Sequence, residues 1–352
     1  MFISFFRNQA KLIWNPLFND IQSMTISYQE KNLEKITWVD KIGEIGDGFC
    51  DEEYNYFGKI TSICIDKIDD ILYVADSELH KIFRFNIDGE FIDSFGTQGQ
   101  GPGEFLGILR ISIGNNGNLY VTDEGNRRLL VFSKSGKFIE QLSISSFLRD
   151  RPIIGSNGDI YLLSPSRLRV IDVFDKNMRL KTSILEMKYH SAFPFFSPPK
   201  TMLPAVLKPS INNVKKLITK DDNLIVVFNN TQKIIHLNQN HIIVKEFKID
   251  HPEFIKDYKH RLKASIKNRG WLNCFGSAFL DTNENICLCY YNGTQNRSEV
   301  YRYTKGGIFK DIIKVRNSKI VTNKLFVVCT KKGNLFSISQ ESTKIIIYRL
   351  PE

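Results

Sequence analysis

The sequence predicts an all-β fold, a six-bladed β-propeller of four-stranded antiparallel blades with a short helical insertion. Residues 67–96 and 114–143 are copies of one pattern, with corresponding positions 47 residues apart. A glycine-rich turn at residues 94–105 separates the two copies, and short β-rich runs continue through the rest of the chain. A repeat of 40–50 residues made of short strands is the period of a propeller blade.

The two copies keep their spacing without a gap at four landmark pairs, which are Tyr73 and Tyr120, Asp76 and Asp123, Phe85 and Phe132, and Gly89 and Gly136. In the first copy, residues 71–75, 81–85 and 90–95 are β-rich runs with polar turns between them. Asp88-Gly89 is a hairpin signal between the third and fourth strands. The apolar run at residues 60–65 supplies a fourth, innermost strand.

Residues 72–82, Leu-Tyr-Val-Ala-Asp-Ser-Glu-Leu-His-Lys-Ile, and residues 119–129, Leu-Tyr-Val-Thr-Asp-Glu-Gly-Asn-Arg-Arg-Leu, resemble the NHL repeat. The turn Gly-Gln-Gly-Pro-Gly-Glu-Phe at residues 99–105 is similar to the connection between blades in six-bladed propellers built from such repeats. The resemblance is close over residues 36–144 and implies a six-bladed ring. Some NHL propellers bind single-stranded RNA on a basic face, and some lyases of similar fold assemble a metal site around the channel.

The later blades carry weaker signals, which lie at residues 157–162 for blade three, 222–227 and 233–237 for blade four, 285–289 and 300–303 for blade five, and 324–328 and 334–338 for blade six. Residues 36–42 have the features of an outermost strand, because the glycines that follow repeat the spacing of the 94–105 turn. A strand is also predicted at 344–350. Either of these terminal strands could be the outermost strand that closes the ring.

We divide the chain into an N-terminal extension at residues 1–35 and a propeller at residues 36–352, with insertions at 187–212 and 250–275. The first insertion contains Phe193, Phe195, Phe196 and five prolines, so an irregular loop is predicted. The second insertion predicts a helix over residues 250–270, with Asp250 as N-cap, Pro252 in the first turn and Glu253 three residues after the cap.

The formal net charge of +10 is compatible with an acidic partner, with nucleic acid, or with solubility alone. The six cysteines do not form a disulfide framework, and burial in strands is expected for Cys64, Cys287 and Cys289. No apolar run is long enough for a transmembrane helix. No clear signal peptide is visible, so the compartment is unknown and cytoplasmic by default, although related propellers are often exported.

Two pairs, Asp76 with Lys81 and Asp123 with Arg128, flank the turn between the second and third strands. Such pairs could ligate a cation or a phosphate, but pairing across the hairpin is favoured because the spacing recurs from blade to blade. The glycine-rich turn lacks the Lys-Ser/Thr of a phosphate-binding loop. The six histidines show no metal-ligand spacing within one element. No metal, cofactor or catalytic residue is therefore assigned.

Connections that follow second and fourth strands emerge on one face of a propeller. Both insertions and the glycine-rich turn belong to such connections, so this face is the expected binding surface. Its candidate residues are His80, Gly99, Gly101, Gly103, Arg127, Phe193, Phe195, Phe196, Lys256, Lys259, Lys263, Lys267 and Arg269.

The sequence favours a non-enzymatic binding or scaffold propeller, expected to be a monomer, that recognises an acidic protein or peptide through this face. One alternative is a metal-dependent lyase or hydrolase with its site at the central channel. A second alternative is RNA binding on the basic face. RNA ranks lower because Phe254 and Tyr258 lie on the buried stripe of the helix, which leaves few aromatic side chains to stack on bases.

Overall fold

The computed structural model describes residues 35–46, 56–143, 151–164, 169–186, 214–228, 232–267, 275–292, 297–315, 326–330, 333–339 and 341–350. Within these ranges the chain forms twenty-four strands and one helix. None of the helical structure in these ranges is long and apolar enough to cross a membrane.

The helix lies between the fourth strand of one blade and the first strand of the next. The bounds of the strands and the helix are β1 (Ile36–Ile45), β2 (Ile60–Asp66), β3 (Ile71–Asp76), β4 (Lys81–Asn86), β5 (Phe91–Phe95), β6 (Ile108–Ile113), β7 (Leu119–Asp123), β8 (Arg128–Phe132), β9 (Phe138–Ser143), β10 (Ile153–Ile154), β11 (Ile160–Leu163), β12 (Arg169–Phe174), β13 (Leu180–Glu186), β14 (Val214–Ile218), β15 (Leu224–Phe228), β16 (Lys233–Leu237), β17 (Ile243–Lys248), α1 (Pro252–Lys267), β18 (Phe275–Leu280), β19 (Ile286–Asn292), β20 (Arg297–Tyr303), β21 (Phe309–Val315), β22 (Phe326–Cys329), β23 (Asn334–Ile338) and β24 (Ile345–Arg349).

The strands form six antiparallel blades around a closed ring, as the sequence predicts. Blades one to five are β2–β5, β6–β9, β10–β13, β14–β17 and β18–β21, each in chain order. The first strand of every blade contacts the first strands of both neighbouring blades, and β22 returns to contact β2. The first strands therefore surround the central channel, and the fold is a six-bladed β-propeller.

The sixth blade combines both ends of the described chain, in the order β22, β23, β24 and β1. This arrangement decides between the two candidate closing strands: β1 is outermost and β24 is third. The sequence pattern left the order of these two strands open. In the structure, Phe326–Cys329 is the innermost strand of the blade.

Strand β1 also joins blade six to blade five. Its first half, residues 36–39, pairs in parallel with residues 312–315 of β21. Its second half, from Asp40 to Ile45, pairs antiparallel with β24. The N-terminal strand therefore covers the outer edge of two blades at once, which removes two unpaired sheet edges from the described part of the ring.

The core lies between the blades, where both faces of each sheet are buried. Every residue of β7 and β8 is buried, for example, and Phe105 and Phe132 pack in the contact between blades one and two. Gly136 has a φ of +80°, and a Cβ atom built on it would lie 2.5 Å from the ring of Phe95 in the preceding blade. A glycine at this turn is therefore needed both for its backbone angle and for the close approach of two blades.

The helix begins one residue later than the predicted cap implies. Pro252 is its first residue, Glu253 lies in the first turn, and the main-chain carbonyl of His251 accepts a hydrogen bond from the amide of Ile255 at 2.9 Å. His251, rather than Asp250, thus occupies the N-cap position. Pro252 suits this start because its missing N–H is one that the first turn leaves without a partner inside the helix.

Candidate binding face

We use the name loop face for the side of the ring formed by connections after second and fourth strands. Among the described residues it includes the β3–β4 turn at 77–80, the β5–β6 connection at 96–107, the β7–β8 turn at 124–127, and α1. Antiparallel strands alternate in direction, so these connections all lie at the same end of their blades. The predicted candidate residues within the described ranges are therefore on one face.

Asp76 ties the turn of blade one to the segment that enters the blade. Its buried carboxylate accepts hydrogen bonds from the main-chain amides of Gly58 at 2.8 Å and Lys59 at 3.0 Å. It also accepts bonds from the amides of Glu78 at 2.9 Å and Leu79 at 3.0 Å within the turn. Lys81, the predicted ion-pair partner, lies opposite Asp76 in the strand register. The carboxylate is thus committed to ordering the backbone.

Asp123 holds the corresponding position in blade two. It accepts hydrogen bonds from the amide of Gly107 at 2.9 Å and from the side chain of Asn126 at 2.7 Å. The guanidinium of Arg128 lies 3.3 Å from the same carboxylate, across the hairpin. Both side chains are almost completely buried, so the pair is part of the interior of the loop face.

Arg128 also fastens the glycine-rich turn. Its remaining donors bind the side chain of Gln141 and three carbonyls of the turn, those of Gln100 at 2.8 Å, Gly101 at 3.0 Å and Glu104 at 2.9 Å. A planar guanidinium can reach several acceptors at once, which an ammonium group on a flexible stem cannot match. Arg128 therefore converts a glycine-rich segment into a fixed part of the scaffold.

The glycines of this turn serve its conformation. Glu104 accepts a hydrogen bond from the amide of Gly101 at 2.7 Å, and Gly103 has a φ of +79°. A Cβ atom built on Gly96 would lie 2.2 Å from the ring of Phe105. Gly99 donates its amide to the carbonyl of Phe105 at 3.0 Å. These contacts give Gly99, Gly101 and Gly103 a structural role.

His80 and Arg127 are the last residues of equivalent turns, and both have left-handed backbone angles, with φ of 54° and 52°. Gln232 has a φ of 56° at the same place in blade four. The recurrence shows that the turn requires this angle. Arg127 is exposed and His80 is half-buried, so both side chains contribute to the surface of the loop face.

Helix α1 is held to blades four and five by a buried aromatic stripe. Phe254 is completely buried, and its ring stacks on Phe275 at 5.3 Å and meets Tyr290 edge-on at 5.0 Å between centroids. Tyr258 is also buried in this cluster. The predicted apolar stripe is therefore correct for these two residues.

A polar contact at the centre of this surface fixes the helix more specifically. The hydroxyl of Tyr290 donates to the buried carboxylate of Asp257, and Arg261 donates to the same carboxylate at 2.6 Å. Arg261 also donates to the carbonyl of Tyr291, and its guanidinium lies 5.1 Å from the centre of the Tyr290 ring. These residues are not among the sequence predictions, because nothing local in the sequence marks an aspartate on a helix as buried.

Tyr290 occupies in blade five the position that an aspartate occupies in blades one and two. It pairs with Phe275 just before a bulge in the first strand, as Asp76 pairs with Ile60 and Asp123 with Ile108. In blade five the strand supplies the donor and the preceding connection supplies the carboxylate, Asp257. The same link between connection and blade is thus made with donor and acceptor exchanged.

The other side of the helix faces solvent. Glu253, Lys256 and His260 are exposed, and Lys259 is half-buried. The side chains of Lys263 and Lys267, and the residues Arg269, Phe193, Phe195 and Phe196, lie outside the described residues. Their place on the binding surface therefore remains a prediction from the sequence.

The central channel is where the enzymatic alternative would place its metal site. The described first strands contain one carboxylate, Asp66, which pairs with Lys134 at 2.6 Å, and no histidine. Across the described ranges no three His, Cys, Asp or Glu side chains lie together as a metal site requires.

The three cysteines expected in strands, Cys64, Cys287 and Cys289, are buried, and burial raises the pKa of the Cys64 thiol to about 12.

The face opposite the loop face is tied together by polar contacts between its inner turns. The side chain of Asn115 in blade two donates to Asp222 of blade four at 2.7 Å, and Ser156 of blade three donates its amide to the same carboxylate at 3.0 Å. The hydroxyl of Ser156 also donates to this carboxylate. Burial opposes ionisation of Asp222, but the hydrogen bonds from Ser156 and Asn115 outweigh it and lower the pKa of the carboxyl. Lys67 reaches the carbonyl of Leu280 in blade five at 3.0 Å.

Comparison with known proteins agrees with the fold. Residues 52–147 match the DUF5128 family, described as a 6-bladed beta-propeller. A segment of 166 residues, 46% of this chain, is 25% identical to Protein brain tumor of Drosophila melanogaster, an NHL-repeat protein, and spans only 15% of that relative's length.

Two solved structures share the architecture at low sequence identity. A Bacteroides fragilis protein aligns with a TM-score of 0.55 at 11% identity, over 90% of this chain and 100% of its own. Virginiamycin B lyase from Staphylococcus aureus aligns with a TM-score of 0.50 at 13% identity, over 88% of this chain and 99% of its own. Such likeness shows the fold alone. The protein is thus a six-bladed β-propeller, as the sequence predicts, and it has distant sequence similarity to an NHL-repeat protein.

Proposed function

We propose that the protein is a non-enzymatic binding propeller that holds an acidic protein or peptide on its loop face, with α1 as the principal contact. The observation that carries the proposal is the packing of this helix on the ring. Its apolar side is buried against blades four and five, and its polar side, with Lys256 and His260, faces solvent.

A helix that is held in one position favours binding, because a preorganised surface loses little conformational freedom when a partner binds. The Asp257–Tyr290–Arg261 contacts and the Phe254 cluster hold the helix in one position. The neighbouring turns are held by Asp76 and Arg128. A partner would therefore meet a preformed surface rather than a set of mobile loops.

The charge of the exposed side indicates the sign of the partner. Lys256 is exposed, Lys259 is half-buried, and Lys263 and Lys267 continue the same spacing in the sequence. These cations favour association with a carboxylate-rich segment and make that association sensitive to salt. A protein or peptide ranks above RNA because the aromatic residues Phe254 and Tyr258 are buried and cannot stack on bases.

A labelled polyglutamate peptide and a single-stranded RNA of equal charge are suitable probes for this surface. We expect the peptide to bind, and we expect Lys256→Glu to weaken it about 3- to 10-fold and to reduce its salt dependence. Lys137→Glu is the matched control, since Lys137 is exposed in a turn of the opposite face.

Equal weakening by both variants would show a general charge effect and contradict the proposed surface. Tighter binding of the RNA than of the peptide, again dependent on Lys256, would replace the proposed partner class with RNA. A stoichiometric metal in the purified protein, together with hydrolase or lyase activity that removal of the metal abolishes, would favour the enzymatic alternative.

A further inference from the structure

Three consecutive blades carry a cation at the same position in or just before their first strands. Arg110 in blade two, Arg151 in blade three and Lys215 in blade four each lie four residues before the first residue of the turn that leads to the second strand. The same main-chain hydrogen bond closes that turn in all three blades. Because the first strands surround the channel, these three residues, which we call the channel cations, belong to one level of it.

The two arginines extend along the inner side of the first strands. Arg110 donates to the carbonyl of Thr61 in blade one at 3.0 Å. Arg151 donates to the carbonyls of Ile111 in blade two at 3.0 Å and of Ile63 in blade one at 2.6 Å. A side chain of blade three that reaches the first strands of two other blades lies inside the ring. Thr61 and Ile63 are two residues apart on β2, so the carbonyls that hold the two guanidinium groups are about 7 Å apart.

The described first strands bring little negative charge to this level. Blades one and five have Ser62 and Ser277 at the position of the channel cations, each directly after the bulge in its first strand. The one carboxylate of these strands, Asp66, lies at the other end of β2 and pairs with Lys134 at 2.6 Å. Hydrogen bonds to main-chain carbonyls position a guanidinium group and do not neutralise its charge. The channel therefore has an excess of positive charge from the described first strands at this level.

We propose that the channel cations form a binding site for a phosphate group. Guanidinium groups bind phosphate oxygens through paired, charge-assisted hydrogen bonds, and three cations match a doubly charged oxyanion better than a single carboxylate. At the opposite face, Asn115 contacts Asp222 and Lys67 contacts the carbonyl of Leu280, so contacts between inner turns lie across that end of the channel. The phosphate therefore enters from the loop face. This site is independent of the contact proposed for α1.

Calorimetric titration with inorganic phosphate, in a chloride buffer of constant ionic strength, tests the proposal. The native chain should bind one phosphate, and acetate should not compete with it. Arg110→Gln and Lys215→Gln should each raise the dissociation constant for phosphate at least tenfold, because each removes a charged donor. Lys67→Gln is the matched control, since it removes a cation from the far end of the channel. It should change the dissociation constant less than twofold.

A second titrant identifies the source of the phosphate group. Binding of phosphoserine would assign the site to a phosphorylated ligand, whereas binding of inorganic phosphate alone would assign it to the free ion. Arg110→Lys keeps the charge and should bind phosphate more tightly than Arg110→Gln, which separates the loss of charge from a change in packing.

The surface of α1 is tested separately, because Lys256→Glu should leave the affinity for phosphate unchanged. The proposal would be overturned by a native chain that binds phosphate no better than acetate. An unchanged dissociation constant in both glutamine variants, or an equal loss of affinity in Lys67→Gln, would also overturn it.

Discussion

Blades one and five contain the same ion pair in two different environments. In blade one, Arg84 donates through Nε to Asp93 at 2.5 Å, and in blade five Arg302 donates through Nε to Asp311 at 2.6 Å. Both pairs use two nitrogens of the guanidinium and sit across the third and fourth strands. The side chain of Asp93 is 48% exposed, whereas that of Asp311 is 2% exposed.

The difference comes from β1, which lies over blade five and not over blade one. The hydroxyl of Thr37 in β1 donates to Asp311. Burial opposes ionisation of Asp311, but the hydrogen bonds from Arg302 and Thr37 and the charge of Arg302 outweigh it and lower the pKa of the carboxyl. One motif is thus a surface pair in one blade and a buried anchor for the closing strand in another.

The loop-face ends of these two blades differ as well. In blade one the strand carries the carboxylate, Asp76, and the connection supplies main-chain donors. In blade five the strand carries the donor, Tyr290, and the helix supplies the carboxylate, Asp257. Both blades therefore connect the second strand to the segment that precedes the first strand, and the groups that make the connection depend on that segment.

The largest expected effect is on the buried ion pair. Asp311→Ala should lower the free energy of unfolding by about 3–5 kcal/mol, because it leaves the charge of Arg302 buried without its main partner. Asp281 lies 3.5 Å from Arg302 and still compensates part of its charge, so we expect a value near the lower end of this range. Asp93→Ala should lower the free energy of unfolding by at most about 1 kcal/mol, because an exposed ion pair contributes little. Urea unfolding of the two variants measures both.

Acid titration provides a second readout of the same pair. The pKa of Asp311 is lower in the folded protein than in the unfolded chain, where it is near 4. The ionised carboxylate therefore contributes fully to the free energy of unfolding above about pH 4, and this contribution is lost as the pH falls through the pKa of the folded protein. The difference in the free energy of unfolding between the native chain and Asp311→Asn should therefore become smaller in acid. Equal costs for Asp311→Ala and Asp93→Ala would show that β1 does not bury the pair as described.

An intermediate effect is expected for the carboxylate of blade one. Asp76→Asn should lower the free energy of unfolding by about 2–3 kcal/mol, because one amide oxygen cannot replace two charged oxygens that accept several main-chain bonds. Hydrogen exchange should accelerate at the amides of Gly58, Lys59, Glu78 and Leu79. Unchanged exchange at these four amides would contradict the role given to Asp76.

The smallest expected effect is on the helix. Tyr290→Phe should lower the free energy of unfolding by about 1 kcal/mol, because Asp257 loses one of its hydrogen-bond donors. It should also accelerate hydrogen exchange of the amides within α1. Tyr73→Phe is the matched control, since the buried Tyr73 hydroxyl donates to the carbonyl of Lys134 at 2.8 Å, far from the helix. If both variants leave exchange in α1 unchanged, Tyr290 does not fix the helix.

Much of this architecture was available from the sequence because it depends on local rules that repeat. The 47-residue spacing, the Asp-Gly turn and the NHL-like segments predicted the blades, and the position of Pro252 predicted the helix within one residue of its start. Alternating turns in an antiparallel sheet then placed the candidate residues on one face. These features follow from backbone geometry over a few residues, which a single sequence shows directly.

Contacts between distant residues were decided only in the tertiary structure. Nothing in the sequence near Thr37 and Asp311 indicates that they meet, because they are 274 residues apart and belong to different copies of the repeat. The pairing of Tyr290 with Asp257 and the order of β24 and β1 are of the same kind. Periodicity shows that a strand or a helix forms, whereas closure of the ring determines which side chains it buries together.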